Sequence, residues 1–237
     1  MNTCIPNIIT KRFSIWSIIG FALLYLFSSC HKPKNEYVGM AFKLPITITP
    51  SKDTINVGDT LNVEASIADS MREELSGNYY KLKNFDFKTR AGFLTFLNNS
   101  TSLFLSQQPG AVNSFGILNE IGSITPLSET FGAVKFLYEN NTFRMKTKFV
   151  AKQKGLFAIN FSSDYVGKNT QLNFIDLGQT ASGGKKIAVL NNIWYSVNNG
   201  NTDFGILKNY SKLTSETYPT PDNINAEQQA TYTFVVK

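Results

Sequence analysis

Apolar residues recur at every second position in short runs that stop at Gly, Asn, Asp or Pro, and this rhythm confines most of the chain to β-sheet. In residues 54–66 (TINVGDTLNVEAS) the apolar positions are Ile55, Val57, Leu61, Val63 and Ala65, written on both sides of a Gly58-Asp59 corner. Residues 142–151 (TFRMKTKFVA), 156–162 (LFAINFS) and 230–237 (ATYTFVVK) repeat the pattern. Successive side chains on a strand point to opposite faces, so such runs bury one face and wet the other. Strands are also expected at 40–49, with Pro45 at an edge, and at 85–87, 92–97, 102–105 and 115–118. Residues 131–138 pair with 142–151 as a hairpin, and 172–177, 186–189 and 193–197 complete the set. Residues 70–77 (SMREELSG) read as one helical turn ending at Gly77, residues 98–101 as a hairpin loop, and 182–186 (SGGKK) as a turn, because the spacing of a phosphate loop is missing.

The N-terminus carries a different signal. Lys11 and Arg12 precede an apolar run from Phe13 to Phe27, followed by Ser28, Ser29 and Cys30: a basic segment, an apolar segment and a small-residue cleavage site. A membrane-spanning helix needs about 20 apolar residues, more than this run supplies. An ordinary secretory signal shares the layout, and the Cys separates the two. Phe27-Ser28-Ser29-Cys30 resembles the lipobox of bacterial lipoproteins, with Phe where Leu is usual. The resemblance implies cleavage before Cys30, which then carries the lipid. Two or three acyl chains on one residue hold a protein at a membrane permanently, where a single chain binds marginally. The expected order is a signal peptide over 1–29, the lipidated Cys and a polar tether over 30–40, and a body divided near Thr125–Glu129 into 41–126 and 127–237. Outer-membrane placement is expected, with the periplasmic or surface side left open.

The TINVGDTLNVEAS segment resembles the opening strands of bacterial immunoglobulin-like domains. The Lys154-Gly155 step into residues 156–162 resembles the penultimate strands of immunoglobulin-like and fibronectin-like sandwiches. The fold class expected is therefore all-β, with one or two immunoglobulin-like β-sandwich domains after the signal peptide.

Composition narrows the chemistry. Removing residues 1–29 leaves 208 of 237 and takes away Lys11 and Arg12, lowering the net charge from +6 to +4. The densest basic group, Arg144, Lys146, Lys148, Lys152 and Lys154, alternates along one strand and its turn, which reads as a solvated sheet face; no nucleic-acid partner is expected. Cys4 and Cys30 both precede the body, and His31, the only histidine, lies beside the anchor. A body without His or Cys has no Ser-His-Asp or Cys-His constellation and no thiolate or imidazole metal site, so no cofactor or metal is expected.

Candidate sites are few. Asp53-Thr54-Ile55, Asp59-Thr60-Leu61 and Asp69-Ser70-Met71 resemble the acceptor pattern of a protein O-glycosylation system of exported bacterial proteins, which would modify Thr54, Thr60 and Ser70. The same tripeptides are also how a turn enters a strand. Trp194, Tyr195 and Tyr210 are candidate stacking residues for a ligand, against the alternative that Trp194 fills the core. Glu73-Glu74 and the pair Asp59 and Glu64 are the nearest carboxylates for acid–base work, and no spacing singles them out. The expected role is a non-catalytic binding or assembly module, membrane-attached through Cys30, for an envelope protein or glycan. A carboxylate-based carbohydrate-active enzyme and a structural subunit of a surface fibre or transport complex are the alternatives.

Overall fold

The computed structural model describes residues 33–96, 108–165, 168–210 and 229–237. Cys30, the signal peptide, the loop expected at 98–101 and the strand expected at 102–105 lie outside the described residues, as does the side chain of Tyr210. Fifteen strands are described. They are β1 (Glu36–Thr49), β2 (Thr54–Ile55), β3 (Thr60–Ala68), β4 (Ser70–Arg72), β5 (Tyr79–Lys81), β6 (Thr89–Phe96), β7 (Phe115–Ile121) and β8 (Ser123–Pro126). Then come β9 (Phe131–Lys135), β10 (Leu137–Glu139), β11 (Thr142–Ala151), β12 (Gly155–Ser163), β13 (Thr170–Gln179), β14 (Lys185–Val197) and β15 (Thr231–Val236). A short helix, α1 (Gly205–Tyr210), lies between β14 and β15.

The chain divides into two compact units. Among its described residues the first holds 33–36 and 177–186. There the turn expected at SGGKK closes between Thr180 and Gly184. Thr180 N–H donates to the Gly184 carbonyl at 2.8 Å, Gly184 N–H donates to Thr180 Oγ1 at 2.9 Å, and Gly183 supplies the positive φ of 81°. Asn35 Oδ1 accepts from Lys185 N–H at 3.0 Å.

The second unit, residues 37–176 and 187–237, is the sandwich. One sheet runs β10-β11-β3-β1-β14-β13, with β7 also paired to β11; the other runs β2-β15-β12-β6-β9-β8. The two-domain division at 126/127 is corrected here. Strand β11 pairs with β3 over nine residues, from Thr142↔Ala68 to Val150↔Thr60, and β12 pairs with β6 from Leu156↔Phe96 to Ser163↔Thr89. Each sheet thus needs strands from both sides of the proposed boundary, so neither half can close its own sheets. The all-β sandwich itself is the one expected.

Aromatic rings from the two sheets meet in the core. Phe93 on β6 meets Phe149 on β11 edge to face at 5.1 Å, and Phe115 on β7 meets Phe157 on β12 at 5.1 Å. Nearer one end Phe87 meets Phe143 at 4.8 Å. The outer face of the six-stranded sheet is also covered: Leu94, Phe96, Leu156 and Ala158 pack with Phe204 and with Leu207 of α1. Cover on both faces is why β12 and β15 are buried at nearly every position, Thr231 and Thr233 included, rather than at every second one.

At two points among the described residues the chain passes from one sheet to the other in a single residue. Gly122 separates β7 in the larger sheet from β8 in the smaller, and Phe136 separates β9 in the smaller from β10 in the larger. Gly122 has a φ of 63°, and a Cβ there would strike the Lys135 carbonyl, so the two crossings nest and only Gly fits. The hairpin expected between 131–138 and 142–151 is accordingly corrected. Only β10 pairs with β11, in the register Leu137↔Arg144 to Glu139↔Thr142, while β9 pairs with β6 and β8.

Candidate functional site

Beside the Phe136 crossing lies a cleft of about 410 Å³, lined by residues 84–90, by 133–136 and by Leu127, Tyr138, Phe143 and Asp164. Its main wall is the segment entering β6. Sequence reading expected a strand at 85–87. The segment is instead a loop, because Asn84 (φ 51°) and Lys88 (φ 47°) both adopt left-handed backbone. For Lys that conformation is strained and persists only when the surroundings fix it. They do so here from several sides. Asp86 Oδ1 accepts from Lys88 N–H at 3.0 Å while Asp86 Oδ2 meets Lys88 Nζ at 2.6 Å. Phe87 is fully buried, its carbonyl accepts from Ser163 Oγ at 2.8 Å, and the Lys88 carbonyl accepts from Asp164 N–H at 3.1 Å. From beneath, Tyr195 Oη and Thr89 Oγ1 share a hydrogen bond of 2.8 Å.

The polar groups of the cleft come as opposed pairs with one left over. Arg90 Nε meets Asp164 Oδ1 at 2.6 Å, and its guanidinium also lies over the Phe131 ring at 4.7 Å. Lys88 is held by Asp86. The side chain of Lys135, exposed at the end of β9, makes no ion pair or hydrogen bond to any described residue, so three cations face two carboxylates. Burial pushes the Asp86 carboxyl up, but the Lys88 ammonium, the Lys88 N–H and the charge of Lys135 hold it below the usual range. A glycosidase needs one carboxyl raised so that it stays protonated as the acid. Asp86 is shifted the other way. Asp203 is pushed up by burial and by the charge of Asp53, and neither residue lines the cleft.

Aromatic surface surrounds these charges. Phe85 is half-buried, stacks on Tyr165 at 5.6 Å and lies 5.9 Å from the exposed Phe174; Phe136 sets its edge against Phe87 at 5.7 Å. Tyr138 donates to Asp69 Oδ2 at 2.6 Å, a bond that raises its phenol to about 12 together with burial.

The residues singled out from sequence lie elsewhere. Tyr195 is corrected from a stacking residue to a core residue: it is 3% exposed, its ring stacks on Phe161 and burial pushes its phenol up. Its link to the cleft is the support it gives Thr89. Trp194 is half-buried on β14 and lines no part of the cleft. Thr54 and Thr60 are half-buried at the starts of β2 and β3, and Ser70 is exposed on β4. Their aspartates have separate tasks. Asp59 Oδ2 accepts from Asn56 N–H at 2.8 Å across the corner, and the buried Asp69 holds Tyr138 and, at 3.6 Å, Lys81. Glu73 is 1% exposed and accepts from the N–H groups of Ala41, Leu75 and Ser76, which makes it a clamp between chain segments. The turn expected to be helical at 70–77 is strand β4 followed by one closed turn, Gly77 N–H to the Glu73 carbonyl at 2.8 Å. On β11, Lys146 meets Glu64 at 3.2 Å and Glu120 at 3.4 Å, and Lys148 also pairs with Glu120, so the basic alternation is one sheet face bearing its own acids. Among the described residues no three His, Cys, Asp or Glu gather as a metal site.

Asp86, Lys88, Arg90, Lys135 and Asp164 escaped sequence reading. The available signal was Phe85-Asp86-Phe87-Lys88-Thr89-Arg90, in which opposite charges two apart interleave with aromatics, and a second Lys-Phe step at Lys135-Phe136.

Two solved structures show partial likeness. One is a type II cohesin dyad from the adaptor ScaA scaffoldin of Acetivibrio cellulolyticus, at 14% identity and a TM-score of 0.23, over 63% of this chain and 48% of that one. The other is a type II cohesin domain from the cellulosome of the same organism, at 15% identity and a TM-score of 0.23, over 63% and 95% of the two chains. Likeness of this degree has no bearing on function. No protein-family model and no curated protein matches the chain.

Proposed function

We propose that the chain is a lipid-anchored protein of the cell envelope, attached to the outer membrane through Cys30, whose sandwich body binds an envelope protein or glycan without converting it. The observation that carries the binding reading is the cleft at the Phe136 crossing. A strained loop is held in place there by ion pairs and buried hydrogen bonds, aromatic rings line it, and the Lys135 ammonium has no ion-pair or hydrogen-bond partner among the described residues. Rigid support beneath a mixed apolar and polar concavity is what a binding site requires. The envelope reading rests on residues 11–30.

Anchoring is tested by membrane fractionation with mass spectrometry of the N-terminal peptide. The wild type is expected in the membrane with a lipid-modified peptide beginning at Cys30, and Cys30→Ala in the soluble fraction. A soluble, unlipidated wild type overturns the anchor. Binding is tested in the Cys30→Ala background, where lipid cannot hold the protein, by sedimentation with washed envelopes. Saturable sedimentation is expected, and adding Arg90→Ala with Lys135→Ala leaves a folded protein, by its circular dichroism, in the supernatant. Equal sedimentation of both proteins overturns the cleft as the site.

A further inference from the structure

We propose that the cleft takes an acidic saccharide, one or two sugar rings of a chain that carries a carboxylate beside Lys135. The inference deepens the binding reading above and rests on it.

Three observations on the cleft point to this ligand. Its size, about 410 Å³, falls in the range of small-ligand sites and suits a short segment rather than a folded partner. The Asp86–Lys88 and Arg90–Asp164 pairs place acceptors and donors side by side at 2.6 Å, so a ligand rich in hydroxyls, each both donor and acceptor, can bond to both members of a pair without breaking it. The apolar wall offers half-buried rings, Phe85 and Phe136, and the C–H face of a pyranose packs against aromatic surface of this kind. A wholly apolar ligand would leave the four paired charges desolvated, which costs free energy.

The charge sets the class of sugar. With Lys88 and Arg90 each matched by a carboxylate, the cleft carries one excess positive charge, at Lys135. A single carboxylate balances it. The Lys135 ammonium has three donors and no hydrogen-bonding or ion-pair partner among the described residues, so it is the group that distinguishes a uronic acid from a neutral sugar.

The test is calorimetric titration of the full-length protein in detergent with uronic-acid trisaccharides of several linkages and with neutral trisaccharides. At least one acidic trisaccharide is expected to bind, more weakly as salt rises. Lys135→Gln, an exposed change that leaves the core intact, is expected to weaken that binding about tenfold, the scale of one charge-assisted hydrogen bond, and to weaken any neutral binding less. Neutral sugars binding as tightly as acidic ones, or an unchanged affinity in Lys135→Gln, would overturn the acidic assignment. If no saccharide binds while envelopes still retain the protein through Arg90 and Lys135, the saccharide is wrong, a protein partner takes its place, and the binding reading survives. Should envelope retention be indifferent to those residues, the binding reading itself falls.

Discussion

Phe149→Ala is expected to lower the stability of the body by about 3–5 kcal/mol, the usual cost of removing a buried Phe. Phe149 has no exposed surface, meets Phe93 across the sandwich at 5.1 Å and lies 6.4 Å from Phe115, which in turn meets Phe157 and Phe234 at 5.1 and 6.0 Å. It also sits on β11, the strand that joins β3 to β7, with Phe149 opposite Leu61 on one side and Ile117 on the other. A cavity here has strand backbone on both flanks, so little can move in to fill it. For a domain of this size each kcal/mol shifts the melting temperature by about 2–4 °C, so a fall of roughly 6–20 °C is expected in a thermal scan. Leu75→Ala, at a position 65% exposed, should stay within about 0.5 kcal/mol of wild type. A Phe149→Ala protein melting within a degree or two of wild type would show that the two sheets do not pack as described.

Glu73→Ala is expected to cost about 3 kcal/mol, through hydrogen bonding rather than volume. The carboxylate accepts from Ala41 N–H at 2.8 Å, Leu75 N–H at 3.0 Å and Ser76 N–H, tying β1 to the turn after β4. Truncation leaves those donors without an acceptor, at about 1–3 kcal/mol for each one that water cannot reach. Glu73→Gln keeps one oxygen and should cost about half as much. Acidity gives a second readout. Burial pushes the Glu73 carboxyl up, and the hydrogen bonds from Ala41, Ser76 and Leu75 more than offset it, so the folded value lies below the unfolded one. A depressed carboxylate stabilises the fold fully above its unfolded pKa, about 4.3, and loses that contribution as pH falls through the folded value. The stability gap between wild type and Glu73→Gln should therefore be flat from pH 6 to 8 and shrink below about pH 4. A gap that widened on acidification would contradict the clamp.

The sandwich was legible because alternation writes the buried face of β3 and β11 directly into the sequence. Strand β3 reads as buried Leu61, Val63, Ala65 and Ile67 between more exposed neighbours. Its partition was not legible. FGAVKFLY looks like one strand, since nothing in its composition marks Phe136 as the residue where the chain leaves one sheet for the other. A boundary near 126 was equally plausible by length, but the pairing of β11 with β3 is long-range, and local pattern carries no record of it. The cleft was hidden for a related reason. Residues 85–90 alternate charge and ring as an exposed strand would, and only the left-handed backbone at Asn84 and Lys88 converts them into a loop with side chains on one concavity. Tyr195 misled because its sequence position, inside an apolar run, fits a core ring and a stacking ring equally well. Its hydroxyl found a buried partner in Thr89, which decided between them.

A cleft occupied where the protein works shields Lys135 there, and amine-reactive labelling of Lys135 in intact envelopes tests this most directly. Lys135 is expected to label slowly in intact envelopes and to recover after detergent extraction and washing, while exposed Lys43 and Lys237 label alike in both. Equal labelling of Lys135 before and after extraction would contradict the account.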